Sequence, residues 1–341
     1  MHPTPFAVAL VAAGVALAQT PPLEARAKSL FKPLPKQFES KDNPITADKV
    51  ALGKLLYFDT RLSKSQTISC NSCHDLAKYG VDGEPTSPGH KKQRGGRNSP
   101  TVFNAGNHIA QFWDGRAKDL EAQAMGPVLN PIEMALPDAH VVEAVLKSIP
   151  GYPPLFAKAF PADKEPVTFA NMARAIGAFE RTLVTPSRFD AYLAGDAKAL
   201  TDAEKKGLDT FISVGCVACH VGEGVGGGMY QRLGFAVPVA SLKDFGRFDA
   251  TKVEADKHFF RVPSLRNVEK TAPYLHDGSV KTLDEMVKFM AKYQLNRELK
   301  ADEVTSIVTF LKSLTGPLPV AAISPPKPLP SGKDTPKPDL N

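Results

Sequence analysis

Apolar residues recur at helical spacing in a few well-bounded stretches, and capping residues mark where most of them begin. From Ala47 to Phe58, the residues Val50, Leu52, Leu55 and Leu56 form one apolar side and predict a helix. Thr168 can cap a second helix, in which Phe169, Met172, Ile176, Phe179 and Leu183 make a single stripe. Thr201-Asp-Ala-Glu204 and Thr282-Leu-Asp-Glu285 both have the Thr-x-x-Glu form of the capping box, whose two side chains each satisfy an otherwise unpaired backbone N–H. The second box opens a helix with Leu283, Met286, Val287 and Met290 on one face. A last helix near Asp302 to Leu314 carries Val304, Ile307, Val308, Leu311 and Leu314. Strand-like alternation is poor throughout, so the pattern predicts a mainly α fold with long loops.

The segments between the helices differ in kind. Gln19 to Asn43 is polar and Pro-containing and reads as an N-terminal arm. Tyr79 to Arg97 is rich in Gly, Pro and charge, which predicts a mobile loop with His90 inside it. After Gly316 the chain is dense in Pro and Lys, which excludes a regular helix. Residues 318–341 should be an extended tail, free or lying along the body. At the other end, Phe6 to Ala18 is apolar but shorter than the roughly 18 to 20 residues of a membrane span. Ala16-Leu17-Ala18 supplies a small-x-small cleavage site, so residues 1–18 read as an export signal, and no later stretch predicts a membrane span.

The pattern also repeats. Pro100-Thr-Val-Phe-Asn104 resembles Pro263-Ser-Leu-Arg-Asn267, and Trp113-Asp-Gly-Arg-Ala-Lys-Asp-Leu-Glu121 resembles His276-Asp-Gly-Ser-Val-Lys-Thr-Leu-Asp284, both at an offset of 163. Ile176, Phe179, Leu183 and Pro186 match Ile307, Phe310, Leu314 and Pro317. Differing offsets between shared landmarks mean loops of different length in a duplicated domain. The expected boundaries are 19–186 for the first domain with its arm and 187–317 for the second.

A length of 341 residues suits two domains, and 43% hydrophobic with 23% charged residues excludes a disordered chain. The net charge of +6 gathers partly at Lys91, Lys92, Arg94 and Arg97 and partly in the tail. Such a cluster is either a solvated face or a docking surface for an acidic redox partner. Nucleic acid is not an expected partner of an exported chain.

The chemistry begins at Cys70-Asn-Ser-Cys73-His74 and is repeated at Cys216-Val-Ala-Cys219-His220, which together use all four cysteines. Cys-x-x-Cys-His is the attachment pattern of c-type haem, with two thiols for the vinyl groups and a His for the iron. A four-thiolate zinc site or a redox disulfide would use the Cys pairs but would not require a His directly after each. The haem reading also agrees with export, because haem c is attached on the oxidising side of the bacterial inner membrane.

The remaining axial position decides the job, since Met opposite His suits electron transfer and an open or displaceable site suits peroxide. For the second haem the spacing leaves Met286, Met290 and Met229 as candidates. For the first, His90 lies sixteen residues past His74 in a loop, where a ligand would be removable.

The sequence resembles the bacterial dihaem cytochrome c peroxidases of the periplasm. The resemblance runs from Leu30-Phe-Lys-Pro to the tail and includes Gly89-His90, Arg97-Asn-Ser-Pro-Thr-Val, Gln111-Phe-Trp-Asp-Gly-Arg116, Gly126-Pro-Val-Leu-Asn-Pro-Ile-Glu-Met134 and Thr271-Ala-Pro-Tyr-Leu-His-Asp-Gly278. It implies two cytochrome c-like domains, each with one covalent haem c. The N-terminal haem, held by Cys70 and Cys73, would be the low-potential peroxidatic one, with axial His74 and a removable His90. The C-terminal haem, held by Cys216 and Cys219, would be the high-potential electron inlet, with axial His220 and Met290. The resemblance assigns Glu133 as the acid–base residue and Gln123 as its polar neighbour, although alone Glu133 reads as a surface carboxylate. It places Trp113 between the haems, and Asn98, Thr271 and Pro273 at an inter-domain calcium ion. The expected partners are hydrogen peroxide, a small donor protein (cytochrome c or a cupredoxin) and a second copy in a homodimer. A catalytically inert dihaem carrier would keep both haems six-coordinate. The methylamine dehydrogenase maturation enzymes have Tyr where this chain has Met290, and lack the His found here as His90.

Overall fold

The capped apolar stripes fold as two helix pairs around which the rest of the chain is arranged. The computed structural model describes residues 20–341, so the export signal expected over residues 1–18 lies outside the described residues. In the first pair, the helix Ala47–Phe58 crosses Phe169–Glu180; in the second, Asp202–Val214 crosses Ala301–Lys312. Thr46 and Thr168 each accept the N–H three residues on, at 3.2 and 3.1 Å. Both expected capping boxes form, at Thr201/Glu204 and Thr282/Glu285. Leu183 and Leu314 fall just past their helices but remain fully buried.

One glycine in each pair sets how closely the helices approach. A Cβ on Gly53 would run into the Ala175 carbonyl oxygen and lie 2.9 Å from Phe179 Cβ. A Cβ on Gly207 would run into the Ser306 carbonyl oxygen and lie 2.9 Å from Phe310 Cβ. Only a residue without a side chain permits backbone contact of this kind. Each pair anchors its own core: Leu52, Leu56, Ile176 and Phe179 in the first, Leu208, Phe211, Ile307 and Phe310 in the second.

The two ends of the chain cross over. The N-terminal arm, placed by sequence with the first repeat, contains the helix Leu23–Leu30 and packs instead into the second core through Ala27 and Phe31. Phe31 meets Phe189 edge-on, with ring centroids 5.4 Å apart. The tail lies on the first core, where Leu318, Ala322, Ile323 and Leu329 pack. Arg61 donates to the Leu329 carbonyl at 2.9 Å, and Gln66 to that of Pro336 at 2.7 Å. The tail holds one helical turn, Val320–Ile323, where four residues free of Pro allow it.

Strand is confined, among the described residues, to an antiparallel ribbon of Tyr230–Arg232 with Phe259–Arg261 and a few isolated bridges. Where the halves meet, Asn104 and Asn267 take the left-handed conformation, with φ of 59° and 62°. Both donate their side-chain amides to the Thr185 hydroxyl, at 2.9 and 2.8 Å. The loop Tyr79–Arg97, expected to be mobile, is fastened at several points. Arg97 is turned inward to Asp114 (2.5 Å) and Asp244 (2.7 Å), so it leaves the basic cluster that the sequence suggested. Arg94 pairs with Glu84 at 3.3 Å, and Lys91 and Lys92 stay exposed.

Candidate active site

Each Cys-x-x-Cys-His segment turns tightly at the edge of its helix pair and faces a cavity. The first cavity, about 500 Å³, is lined by Cys70, Cys73 and His74; the second, about 210 Å³, by Cys216, Cys219 and His220. His74 Nδ1 pairs with the Pro100 carbonyl at 2.9 Å, and His220 Nδ1 with that of Val225 at 3.2 Å. A carbonyl at Nδ1 makes that nitrogen the N–H and leaves Nε2 with a free lone pair, as an iron ligand requires. Burial lowers the pKa of both, His220 to about 4, so both are neutral imidazoles near pH 7.

The cavities share a wall made of Asn98, Pro100, Thr101 and Trp113. Trp113 donates its indole N–H to the Asn98 carbonyl at 2.9 Å and meets His276 edge-on. Gln123 and Glu133 line the first cavity. Glu133 is half-buried, so it is not the surface carboxylate that its sequence surroundings suggest. Burial raises its pKa, while Arg116 and the Asn130 amide, 2.8 Å away, oppose the rise.

His90, which the resemblance makes the removable ligand of the first haem, lies in a loop held against the backbone of Glu133. It is buried, donates its backbone N–H to the Glu133 carbonyl at 2.8 Å, and has no partner for Nδ1. Its ring is not part of the first cavity's lining, whereas Gly89, Gly95 and Gly96 of the same loop are. A Cβ at Gly89 would collide with the Ile132 carbonyl, so glycine lets this loop lie against the backbone bearing Glu133.

In the second cavity, Met286 and Met290 both line the wall and Met229 does not. Met286 packs against the second core, whereas Met290 does not belong to that cluster. Asn98, Thr271 and Pro273 all line this same cavity.

The residues fit two covalently held haems. The thiol pairs lie on separate cavities, so they do not converge on one four-thiolate zinc site. Arg261 lines the second cavity, 1% exposed, and among the described residues its guanidinium donates only to the carbonyls of Phe112, at 3.4 Å, and Val262, at 3.5 Å. Burial pulls its pKa down to about 10, and a buried cation of this kind suits a haem propionate. Sequence reasoning did not single out Arg261, Arg116 or Glu180. Glu180 had a signal, because it stands four residues after Ile176 on the apolar stripe.

Paired helices, two Cys-x-x-Cys-His cavities and an aromatic wall between them define a dihaem c-type cytochrome. The chain belongs to the di-haem cytochrome c peroxidase family, whose family model matches residues 47–198. It is 49% identical to the cytochrome c551 peroxidase of Pseudomonas aeruginosa, over 92% of each chain. It is 50% identical to the cytochrome c551 peroxidase of Nitrosomonas europaea, over 86% of this chain and 87% of that one. A methylamine utilization protein MauG, from Methylorubrum extorquens, is 36% identical over 80% of each. The crystal structure of a MauG-like protein associated with microbial copper homeostasis superposes with a TM-score of 0.73 at 32% identity, covering 86% of this chain and 97% of that one. Among the described residues, no helix is long and apolar enough to cross a membrane.

Proposed function

We propose that this chain reduces hydrogen peroxide to water with electrons from a small redox protein. The observation that carries the reading is the first cavity, which brings His74, Gln123 and Glu133 together with Trp113 in the wall shared with the second. Cys70 and Cys73 would hold one haem c with His74 on its iron; Cys216 and Cys219 would hold the other, with His220 and Met290. When bound, the haems supply the redox chemistry that cleaves the peroxide O–O bond. Glu133 takes the proton from one peroxide oxygen and returns it to the leaving oxygen, the role its raised pKa supports. Gln123 orients the peroxide. His90 is the removable ligand, a role supported by its position beside Glu133 but outside the cavity lining.

The finer assignments belong to the same proposal. Electrons enter at the C-terminal haem and cross by way of Trp113, supported by its place in both cavity walls. The domains 19–186 and 187–317 arise by duplication. Matched contacts of Gly53 and Gly207, and of Asn104 and Asn267, support this. A calcium ion at Asn98, Thr271 and Pro273 would use mainly backbone carbonyls of those cavity-lining residues. Periplasmic location after removal of residues 1–18, a cytochrome c or cupredoxin donor, and a homodimer follow from the resemblance. The test is peroxide-dependent oxidation of a reduced small cytochrome c by protein carrying two haems on a stained denaturing gel. Two haems without peroxide turnover in any redox state would leave a carrier and refute the proposal.

A further inference from the structure

The first cavity contains a carboxyl group that the reaction above does not use. Glu180 ends the helix Phe169–Glu180, is 3% exposed and lines the cavity with Cys70 and His74. Its Oε2 is buried with no hydrogen-bond partner. The neighbouring carboxylate, Glu121, is already taken by Arg181, at 2.5 and 2.9 Å. In the second repeat the same place, four residues after Ile307 as Glu180 is after Ile176, is occupied by Leu311, which lines the second cavity. A leucine therefore suffices for the helix packing, and the carboxyl is an addition peculiar to the first haem site.

We infer that Glu180 is a redox-linked proton acceptor for the haem held by Cys70 and Cys73, binding one proton from solvent for each electron that this haem takes up from a one-electron donor. The inference rests on the dihaem reading above. The balance is simple: the electron removes one positive charge from the iron, and the proton bonds to a Glu180 carboxylate oxygen, so the buried site keeps its net charge. A buried, unpaired carboxylate makes this exchange favourable, because in low dielectric each charge is strongly felt by the other.

The groups facing Glu180 act in the same direction or weakly against it. Burial, followed by Glu121, pushes its pKa up to about 8, and Arg181 alone opposes them. Tyr57 of the Ala47–Phe58 helix and the Cys70 sulfur of the Cys70–Cys73 turn are the other polar groups near enough to Glu180 to interact with it, and the sulfur carries no charge once it holds the haem. Tyr57 is itself raised by burial and stays neutral, donating to the His74 carbonyl at 2.7 Å. Among the described residues, Arg181 is the one cation that acts on Glu180.

The test is a spectroelectrochemical titration of the full-length dihaem protein from acid to alkaline pH, on wild type, Glu180→Gln and Glu180→Leu. In wild type, one of the two midpoint potentials should fall through the window around pH 8, by up to about 59 mV for each tenfold fall in proton concentration. In both variants that slope should flatten, with the alkaline potential rising towards the acid value, while the second midpoint is unchanged. The haem's own propionates titrate in all three proteins, so the difference isolates Glu180. Glu180→Leu copies the second repeat and should raise thermal stability, which a purely structural carboxyl would not allow. An equal slope in wild type and Glu180→Gln, with both haems attached, overturns the inference and leaves the peroxidase reading standing. A wild-type protein with only one haem would remove that reading and this inference together.

Discussion

Replacing Glu133 by Gln changes little except the ability to carry a proton. Gln has the same length, and its amide oxygen can keep the 2.8 Å contact with the Asn130 amide. The loss therefore reports proton handling, which in general acid–base catalysis contributes about 100- to 10,000-fold. At 1.36 kcal/mol per factor of ten, that is about 2.7 to 5.4 kcal/mol of activation free energy. Glu133 works as a base only when ionised, and burial raises its folded pKa. Wild-type turnover should thus be full above that pKa and lost as pH falls through it, at a higher pH than for an ordinary exposed carboxyl. Arg116 opposes the rise, so Arg116→Leu should move the acid limb higher still. The assay is steady-state peroxide reduction with a reduced small cytochrome c, with haem content and spectrum checked in parallel. Near-normal turnover of Glu133→Gln with two haems, or an acid limb indifferent to Arg116, would refute this account of the site.

Other substitutions test separate parts of the account. His90→Gly should turn over from the fully oxidised state without prior reduction, and a persistent lag would remove His90 as the gate. Trp113→Phe should slow electron passage between the haems in rapid-mixing spectra while both stay attached; an unchanged rate would place the path elsewhere. Arg266, with a fully buried side chain, holds Asp190 at 2.7 Å, and Asp190 also accepts the Leu34 and Ser187 N–H groups. Arg266→Met strands that carboxylate and should cost about 3–5 kcal/mol of stability, measured by denaturant unfolding. Gly53→Ala should cost about 1–3 kcal/mol by overpacking, while Gly228→Ala, with open space around it, should cost much less.

The helices were readable because their information is local. Thr168, Thr201 and Thr282 cap where the sequence places them, since a cap needs only residues three apart. The attachment motifs were readable for the same reason. What was not readable depends on distant partners. The arm's Phe31 carries nothing that names Phe189 as its neighbour, so its docking on the second core appears only in three dimensions. Arg97 sits among cations in the sequence but meets Asp244, 147 residues away. The burial of His90 could not be read from its loop, because it comes from the backbone of Glu133, reached through glycine. Periodicity left Met286 and Met290 equivalent, and both do line the cavity. Glu180 could have been noticed by setting the repeats side by side, where it puts a carboxyl opposite Leu311 on an otherwise apolar stripe.

The central claim is that the two haem sites are unequal, one for peroxide and one for electron entry. It is tested most directly by the spectrum of the protein poised with one of its two haems reduced. The account predicts a high-spin ferric signal from the haem held by Cys70 and Cys73 in wild type, and the same signal without reduction in His90→Gly. Two haems that remain low-spin and six-coordinate in every redox state would contradict it.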